Sequence, residues 1–409
     1  MKLMNKLILI LVLMLTGQAV SAQTSQTEKV VCQVANQVME NTSFLIKDIK
    51  TGKTYPSTGK LDYSPDIRVE SPYNQWEYWN GVLGIAMLQL GNTLNDQKYI
   101  DYSKKNFNFI FDNVQYFEKQ FKDNVRGASW YQYFRMNKLD DCGAMAASLA
   151  DVYEIDPQQR YMDYLQRAGD YIQKRQEILS DNTFCRLTPR RWTIWADDLY
   201  MSVPFLARMG KITNDARYFD LAVTQVENFN RYLWNPATGL YFHCWYSDVE
   251  MNGVAHWGRC NGWVMVATTE LLNYLPANHP KREKLIQLLL SHIVGVSRYQ
   301  DTSGLWHQII DKPDSYLESS CTAMFVYSVA RAVNQGWIDK SYLSIAKNGW
   351  AGLQTKIQPD GQVQDICIGT GISNDIKFYY DRPVKLNDIH GLGAVLLAGI
   401  EMMKNEKKK

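Results

Sequence analysis

The sequence predicts an all-α protein, an (α/α)6 toroid of six helical hairpins, and two observations support this fold class. Six segments share one design, in which a polar or aromatic cluster runs on into a long apolar stretch. Their markers recur at intervals of 56 to 72 residues, about the length of two helices with their connections. Six amphipathic, charge-rich segments alternate with them, which gives twelve helices in six pairs. The markers are Gly81, Asp141, Asp197, Arg259, Glu318 and His390.

The two kinds of helix are predicted to form two concentric layers. A helix that is apolar nearly all round must be covered on most sides, whereas a helix with one apolar stripe covers another element. The apolar segments are therefore expected inside and the amphipathic ones outside. An open helical solenoid is the alternative, although the sequence shows no evident polar capping repeats. Pro204 falls within the third inner helix and predicts a kink there. The outer helices are expected over 28–46, 281–296 and 341–357, and from 97, 159 and 216 onward.

The first 22 residues are predicted to be a cleaved signal peptide. Lys2 and Lys6 precede an apolar run over 7–15, and small residues follow at 18–22. The apolar run is too short to span a bilayer as a helix. We expect cleavage after Ala22, export to the periplasm or the extracellular space, and a single catalytic (α/α)6 barrel domain over 23–409.

Charge and cysteine content exclude several classes of partner. The formal net charge is +2, and both surplus lysines lie in the signal segment, so no basic excess remains to hold nucleic acid or an anionic membrane. The seven cysteines are far apart and form no C-x-x-C pair, which argues against a disulfide framework or a zinc site. The histidines show no metal-ligand spacing. We expect a monomer without metal or cofactor.

All six polar clusters precede an inner helix, and this placement predicts a common site. In a toroid of hairpins the inner helices point the same way, so their amino-terminal ends surround one mouth. Seven of the twelve tryptophans lie in or near the clusters. Rings beside carboxylates suit a sugar, although tryptophan can equally fill the core of a large toroid. The predicted pocket contains Asp140, Asp141, Trp195, Asp197, Asp198, Trp257, Arg259, Asn261, Glu318 and His390.

Each carboxylate in the predicted pocket has a possible structural role as well as a functional one. An aspartate just before an apolar helix is by default an N-cap, and this is the alternative for Asp141. Asp197 is crowded by aromatic residues, and a carboxyl group in such surroundings can act as a general acid, with Asp198 as the cap. Glu318 is either a second functional carboxylate or the partner of Arg259 in a buried ion pair. His243 also falls in a suspected cluster, although a lone histidine is more often structural.

Several blocks of sequence resemble glycoside hydrolase family 105, the unsaturated rhamnogalacturonyl and glucuronyl hydrolases, which are related to family 88. The resemblance covers nearly the whole chain after the signal segment, and it implies an (α/α)6 barrel, in agreement with the count of hairpins. The blocks that carry it are Trp76-Glu77-Tyr78, Asp141-Cys142-Gly143, Trp195-Ala196-Asp197-Asp198, Trp257-Gly258-Arg259-Cys260-Asn261-Gly262-Trp263, Gly304-Leu305-Trp306-His307-Gln308, Tyr316-Leu317-Glu318-Ser319-Ser320 and His390-Gly391.

The resemblance implies hydration of a double bond, not direct displacement at the anomeric carbon. The substrate would be an oligosaccharide whose non-reducing uronic acid carries the C4=C5 bond that a polysaccharide lyase leaves. Asp197, in the W-x-D block, would protonate C4 and then help water to add at C5. Asp141, in the D-x-G block, would orient the sugar and the water, with the adjacent Asp140 as the alternative.

The resemblance also implies a set of substrate-binding residues. Arg259 would bind the substrate carboxylate. The other residues implied to bind the sugar are Tyr78, Trp195, His243, Trp257, Glu318 and His390. Two other functions stay open. One is an inverting glycosidase acting on saturated acidic oligosaccharides, with Asp197 or Glu318 as acid and Asp141 as base. The other is a sugar-binding protein without catalysis.

Overall fold

A ring of six inner helices forms the centre of the computed structural model, which describes residues 25–407. The inner helices are α2 (Tyr78–Leu94), α5 (Gly143–Ile155), α7 (Val203–Thr213), α9 (Gly258–Tyr274), α11 (Ser319–Asn334) and α14 (Ile389–Glu406). Each packs against the next, and α14 packs against α2. The ring is therefore closed, which confirms the toroid over the open solenoid. The predicted signal peptide and its cleavage after Ala22 lie outside the described residues.

Six outer helices cover the ring. They are α1 (Gln26–Glu40), α3 (Gln97–Lys122), α6 (Gln159–Lys174), α8 (Ala216–Leu233), α10 (Arg282–Ser297) and α12 (Leu343–Gln354). Each of α3, α6, α8, α10 and α12 packs on the inner helix before it, and α1 packs on α14. The burial patterns match the two layers, because α6 buries one stripe whereas α9 is buried at every position from Gly258 to Leu272.

Short strands and two short helices lie in the connections. In the described residues the strands form five small antiparallel sheets, two of three strands and three of two. The short helices are α4 (Tyr131–Arg135) and α13 (Ile376–Tyr380). The strands are β1 (Ile46–Asp48), β2 (Thr54–Tyr55), β3 (Ile67–Val69), β4 (Thr193–Trp195), β5 (Trp234–Asn235), β6 (Leu240–Tyr241), β7 (Cys244–Tyr246), β8 (Met251–Asn252), β9 (Trp306–His307), β10 (Leu317–Glu318), β11 (Ile366–Cys367) and β12 (Val384–Lys385).

The third inner helix differs from its prediction. It begins only at Val203, so Pro204 lies in its first turn, where the missing N–H leaves no hydrogen bond unmade. The expected kink is therefore wrong. The residues before it form β4 and a 3-10 turn over Ala196–Leu199, which places Asp197 on a tight turn and not on a helix.

Some features are missing from the part of the chain that the structure describes. No helix between residues 25 and 407 has both the length and the hydropathy to cross a bilayer. Over the same residues, no group of three His, Cys, Asp or Glu side chains is arranged to hold a metal ion. The seven cysteines all fall within this range, and each is unpaired.

Glycines set the distance between the first turns of neighbouring inner helices. A Cβ atom on Gly81 would lie 2.3 Å from the carbonyl oxygen of Ala144 on the next inner helix. A Cβ on Gly143 would lie 1.6 Å from the carbonyl oxygen of Met201. These helix starts can approach so closely only because no side chain intervenes, and the approach narrows the ring where its polar clusters lie.

Gly143→Ala is expected to lower the free energy of unfolding by about 3 kcal/mol or more, because backbone has to move to admit the methyl group. Denaturant unfolding followed by circular dichroism measures this loss. Gly59→Ala is the matched control, since its Cβ meets only Ser57 Oγ at 3.6 Å and is expected to change stability by less than about 0.5 kcal/mol. Equal unfolding midpoints for the two variants would refute the close contact between Gly143 and the carbonyl group of Met201.

Candidate active site

The amino-terminal ends of the inner helices meet at one mouth, and Tyr78, Asp140, Asp197 and His390 reach it while the other predicted residues are buried behind it. Tyr78 opens α2, and its half-buried side chain lies among the charges of Arg259, Asp140, Asp197 and Glu77. Four of the inner helices, α2, α5, α7 and α9, start without a side-chain cap. No capping side chain neutralises the positive ends of these helix dipoles, which point towards the mouth and favour an anionic ligand. The first amide of α9 already donates to the carbonyl of Gln308.

The opposite end of the ring is also polar, but its charges are paired internally. A cavity of about 760 Å³ opens there. Arg208 binds Asp151 and Glu270, and Arg331 binds Glu401 at 2.9 Å. Three carboxylates thus already have arginine partners, and the negative ends of the helix dipoles disfavour an anion. The amino-terminal mouth is the better candidate site.

Asp197 is held at the mouth by a buried histidine. The pairing of β4 with β7 sets Trp195 opposite Cys244, and this register brings the turn that carries Asp197 against His243. His243 Nε2 lies 3.0 Å from Asp197 Oδ2, and its Nδ1 lies 2.9 Å from the hydroxyl of Tyr379. The histidine is fully buried, whereas the Asp197 side chain is 14% exposed. Asp197 therefore presents a carboxylate edge to the mouth while one of its oxygens is held from behind.

Arg186 joins two further carboxylates and was not predicted from the sequence. Its guanidinium makes two hydrogen bonds to Asp140, both at 3.0 Å, and two to Asp198, at 2.8 and 2.6 Å. It also lies over the ring of Trp195, at 4.3 Å. Burial raises the pKa of Asp198 to about 6. Burial would raise the pKa of Asp140 as well, but Arg186 and Lys138 outweigh it and lower that pKa.

The adjacent aspartates face in different directions. Asp141 is fully buried and forms a bidentate pair with Arg135, and it also accepts a hydrogen bond from the amide of Asn137. It has no surface left for a sugar or a water, in contrast to the contact implied by the family resemblance. Asp140 is the one that reaches the mouth, with 15% of its side chain exposed. Neither Asp141 nor Asp198 caps a helix, because salt bridges to arginine already use both carboxylates.

Arg259 and Glu318 hold a segment of backbone, residues 366–370, which we call the strap. The two terminal nitrogens of Arg259 donate to the carbonyl oxygens of Cys367 and Ile368, at 2.5 and 2.6 Å. Glu318 accepts a hydrogen bond from the amide of Cys367 at 2.9 Å, and it also caps α11. Arg259 thus binds the carbonyl groups of the strap, and Glu318 binds one of its amide groups.

This arrangement corrects two expectations from the sequence. Arg259 is 1% exposed and both of its terminal nitrogens bind the strap, so burial keeps its guanidinium away from a substrate carboxylate, although its Nε has no hydrogen-bond partner. Its charge still acts on the mouth as a buried positive potential. Glu318 binds backbone amides and a neighbouring hydroxyl, and it forms neither an ion pair with Arg259 nor an exposed second carboxylate.

His390 presents one ring nitrogen to the mouth. Its Nδ1 binds the carboxylate of Asp388, the residue that caps α14. Its Nε2 faces Gly369, where an added Cβ would lie 3.1 Å away, and Trp79 packs at 4.7 Å from the ring. Burial lowers the pKa of His390, and the nearby Arg259 lowers it further. A lowered pKa favours the neutral ring, which with its hydrogen on Nδ1 offers Nε2 as an acceptor for a sugar hydroxyl.

Some of the predicted tryptophans lie beside or behind the mouth, and others fill the core of the ring. Trp257 is buried beneath Arg259 and lies 4.7 Å from His243, so it supports the site from behind and does not face the sugar. Trp195 reaches the surface only slightly. Three others are buried fully, which favours the core-filling alternative for Trp76, Trp263 and Trp306.

Glu77 is a further carboxyl group that was overlooked among the candidate residues. It precedes Tyr78 and binds the amide nitrogen of Gln132 at 2.5 Å. Burial raises its pKa from 4.5 to about 7, and the charges of Asp141 and Asp140 act in the same direction. Its place within the Trp76-Glu77-Tyr78 block was the one signal in the sequence that could have identified it.

Glu77→Gln is expected to stabilise the protein in a pH-dependent way. Between pH 4.5 and 7 the folded state binds more protons at Glu77 than the unfolded state, so Glu77 reduces stability as the pH rises through this window. At pH 8 the variant should gain about 1–3 kcal/mol in the free energy of unfolding, and at pH 4.5 less than about 0.5 kcal/mol. Urea unfolding at both pH values measures the difference. A gain that does not change with pH would show that Glu77 ionises normally.

Comparison with known proteins gives consistent matches. Residues 58–406 match the family described as Glycosyl Hydrolase Family 88. The chain is 30% identical over 216 residues to the unsaturated rhamnogalacturonyl hydrolase YesR of Bacillus subtilis, covering 52% of this chain and 61% of that protein. It is 33% identical over 221 residues to the unsaturated 3S-rhamnoglycuronyl hydrolase of an Alteromonas species, covering 52% and 51%. The matched region thus spans about half to three fifths of these curated relatives.

Solved structures show the same architecture over nearly the whole chain. A possible member of the GH105 family from Klebsiella pneumoniae superposes with a TM-score of 0.74 at 25% identity, covering 95% of both chains. A possible member of that family from Salmonella enterica gives a TM-score of 0.73 at 24% identity, covering 96% of this chain and 97% of that one. The second likeness concerns the fold alone.

Proposed function

The chain belongs to glycosyl hydrolase family 88, and we propose that it removes the unsaturated uronic acid from the non-reducing end of lyase-generated oligosaccharides. One observation carries the proposal. Asp197 reaches the mouth with one oxygen held by buried His243, beside a positive potential from Arg259 and uncapped helix ends. A single carboxyl group held in this way suits protonation of a carbon–carbon double bond followed by activation of water.

The reaction requires only one acid–base group. Asp197 donates its proton to C4, and the ring oxygen stabilises the positive charge that develops at C5. Water adds at C5 and gives its proton back to Asp197. The resulting hemiketal opens by breaking the bond between C5 and the ring oxygen, and the hemiacetal left at C1 releases the rest of the oligosaccharide. Because Oδ2 of Asp197 is hydrogen-bonded to Nε2 of His243, Oδ1 is the oxygen that can exchange the proton with the substrate and water.

Other residues at the mouth have binding roles in this proposal. Asp140 and Nε2 of His390 accept hydrogen bonds from sugar hydroxyls. The hydroxyl of Tyr78 donates to the substrate carboxylate, which Arg259 attracts through space while remaining bound to the strap. Asp141 supports the site as the partner of Arg135 and does not contact the substrate.

The test is an absorbance assay on paired substrates. Lyase-generated fragments of rhamnogalacturonan, ulvan and glycosaminoglycans are compared with their saturated counterparts. We expect loss of the ultraviolet absorbance of the conjugated double bond on at least one unsaturated fragment, and no release of sugar from any saturated one. Cleavage of saturated fragments would instead support the inverting glycosidase. Binding without turnover would support the sugar-binding protein.

We also propose that the enzyme is exported. The support for export is the sequence of residues 1–22, with Lys2 and Lys6 before an apolar run and small residues up to Ala22. Mass determination of protein secreted by a bacterial host is expected to show a chain that begins at Gln23. An unprocessed amino terminus would contradict export.

A further inference from the structure

We propose that Tyr379 is a positioning residue which, through His243, keeps Asp197 in its reactive orientation. The proposal rests on the function proposed for Asp197. Tyr379 lies on α13, 136 residues beyond His243 in the chain, and no feature of the sequence connects the two. It touches neither the mouth nor Asp197, because the imidazole ring lies between them.

Three groups form a continuous hydrogen-bonded chain. The Tyr379 hydroxyl lies 2.9 Å from Nδ1 of His243, whose Nε2 lies 3.0 Å from Oδ2 of Asp197. Tyr379 and His243 are both fully buried. The amide of Ser373 approaches the phenol oxygen at 3.4 Å, and the Tyr379 carbonyl accepts a hydrogen bond from Gln308 at 3.0 Å. The phenol oxygen therefore has two partners, His243 and Ser373, and Gln308 anchors the backbone that carries the ring.

This chain decides which nitrogen of His243 carries the hydrogen. A neutral imidazole has one N–H group, and its other nitrogen is an acceptor. Because the phenol oxygen accepts from the amide of Ser373, it can donate its own hydrogen to Nδ1 of His243, and we infer this assignment. The imidazole hydrogen then lies on Nε2 and is donated to Asp197. With the opposite tautomer, two lone pairs would face each other at 3.0 Å.

As a consequence, the two oxygens of Asp197 have different roles. Oδ2 receives the hydrogen bond from His243 and is fixed, whereas Oδ1 remains at the mouth to give and take the proton. Burial also raises the pKa of the Tyr379 phenol, so it keeps its hydrogen. Without that hydrogen Nδ1 has no donor, so the imidazole ring is no longer held from behind and its Nε2 donor loses its fixed orientation towards Asp197.

The variant that tests the proposal is Tyr379→Phe, which keeps the ring and deletes the hydroxyl. We expect kcat to fall by about 10- to 100-fold, which corresponds to the loss of one aligned hydrogen bond in the transition state. KM should change by less than about twofold, because Tyr379 does not touch the substrate. The neighbouring Tyr380→Phe is the matched control: its hydroxyl binds Asp314 at 2.7 Å, away from the site, and its removal should leave kcat unchanged.

A nitrogen NMR spectrum of histidine-labelled protein tests the tautomer without any substrate. In the unmodified protein, His243 should show a protonated Nε2 and an unprotonated Nδ1. In Tyr379→Phe the Nδ1 signal should shift because its donor is gone, while Nε2 stays protonated opposite Asp197. Because this readout needs no turnover, it stands even if every candidate substrate fails. A protonated Nδ1 in the unmodified protein would overturn the proposal, even if Tyr379→Phe did not fold.

A double-mutant cycle supplies the last control. In His243→Gln the side-chain amide can donate to Asp197 whatever residue occupies position 379. Tyr379→Phe should therefore have no further effect on kcat in that background. An equal loss of kcat in both backgrounds would show that Tyr379 acts by some route other than His243, and would refute the positioning role.

Discussion

Asp197→Asn is expected to reduce kcat/KM by at least about 10³-fold and to leave the fold intact. General acid–base groups typically contribute 10²- to 10⁴-fold, and Asp197 would serve as acid and then as base in one turnover. The asparagine side chain has the same shape, and its oxygen can still accept the hydrogen bond from His243. The loss should therefore reflect the missing proton and not a rearranged site. The measurement is the rate at which the double-bond absorbance of an unsaturated disaccharide disappears.

The control for this result is a carboxylate at the protein surface. Asp248→Asn removes an exposed carboxylate whose partner is Arg190. Its kcat/KM should stay within about twofold of that of the unmodified enzyme, since an exposed ion pair contributes little. Thermal melting should also be the same for Asp197→Asn and the unmodified protein. If Asp197→Asn retained more than about a tenth of the activity, the acid would have to be sought elsewhere, with Glu77 the first residue to examine.

Arg186→Met is expected to lower the free energy of unfolding by about 3–5 kcal/mol. Deleting one partner of a buried salt bridge leaves an uncompensated charge, and in this protein two carboxylates, Asp140 and Asp198, would lose the same partner. Turnover should fall as well, because Asp140 would no longer be fixed at the mouth. Urea unfolding and the absorbance assay measure the two effects.

The pH dependence of the stability lost in Arg186→Met shows whether the unpaired carboxylates cause that loss. Without Arg186 the two carboxylates prefer their protonated forms in the folded protein, so the folded state gains protons that the unfolded state does not bind. The gap in stability from the unmodified protein should therefore shrink as the pH falls from 7 towards 4. Arg190→Met is the matched control on the same hairpin, and it should cost less than about 1 kcal/mol. A gap that stays constant with pH would mean that lost packing is responsible.

The periodicity of the sequence was enough to predict the ring. Helices that are apolar on every side, such as α9, need neighbours all round. Helices with one apolar stripe, such as α6, pack that stripe on the inner helices and leave the other face to solvent. The common direction of the inner helices followed from the hairpins, and with it the gathering of Tyr78, Asp140 and Asp197 at one mouth. These inferences needed only local pattern and chain connectivity.

The partners of the charged residues could not be inferred in this way. Arg259 was expected to face the substrate, but it binds carbonyl groups of the strap more than a hundred residues away. Asp141 was expected at the mouth, but Arg135 holds it in the interior. Hydrogen-bonding partners of this kind come from connections of irregular structure, whose course no periodicity specifies. Arg186 was missed for the same reason, since its two carboxylates lie on different segments.

The most direct test of the proposed chemistry is a crystal structure of Asp197→Asn soaked with an unsaturated disaccharide that the unmodified enzyme cleaves. The uronate ring should lie at the amino-terminal mouth, with C4 about 3 Å from the side-chain amide of residue 197, the reach that proton transfer requires. Its carboxylate should face Tyr78 and not the guanidinium of Arg259. A sugar bound in the cavity at the opposite end of the ring, or one whose C4 points away from residue 197, would contradict the assignment of Asp197 as the acid.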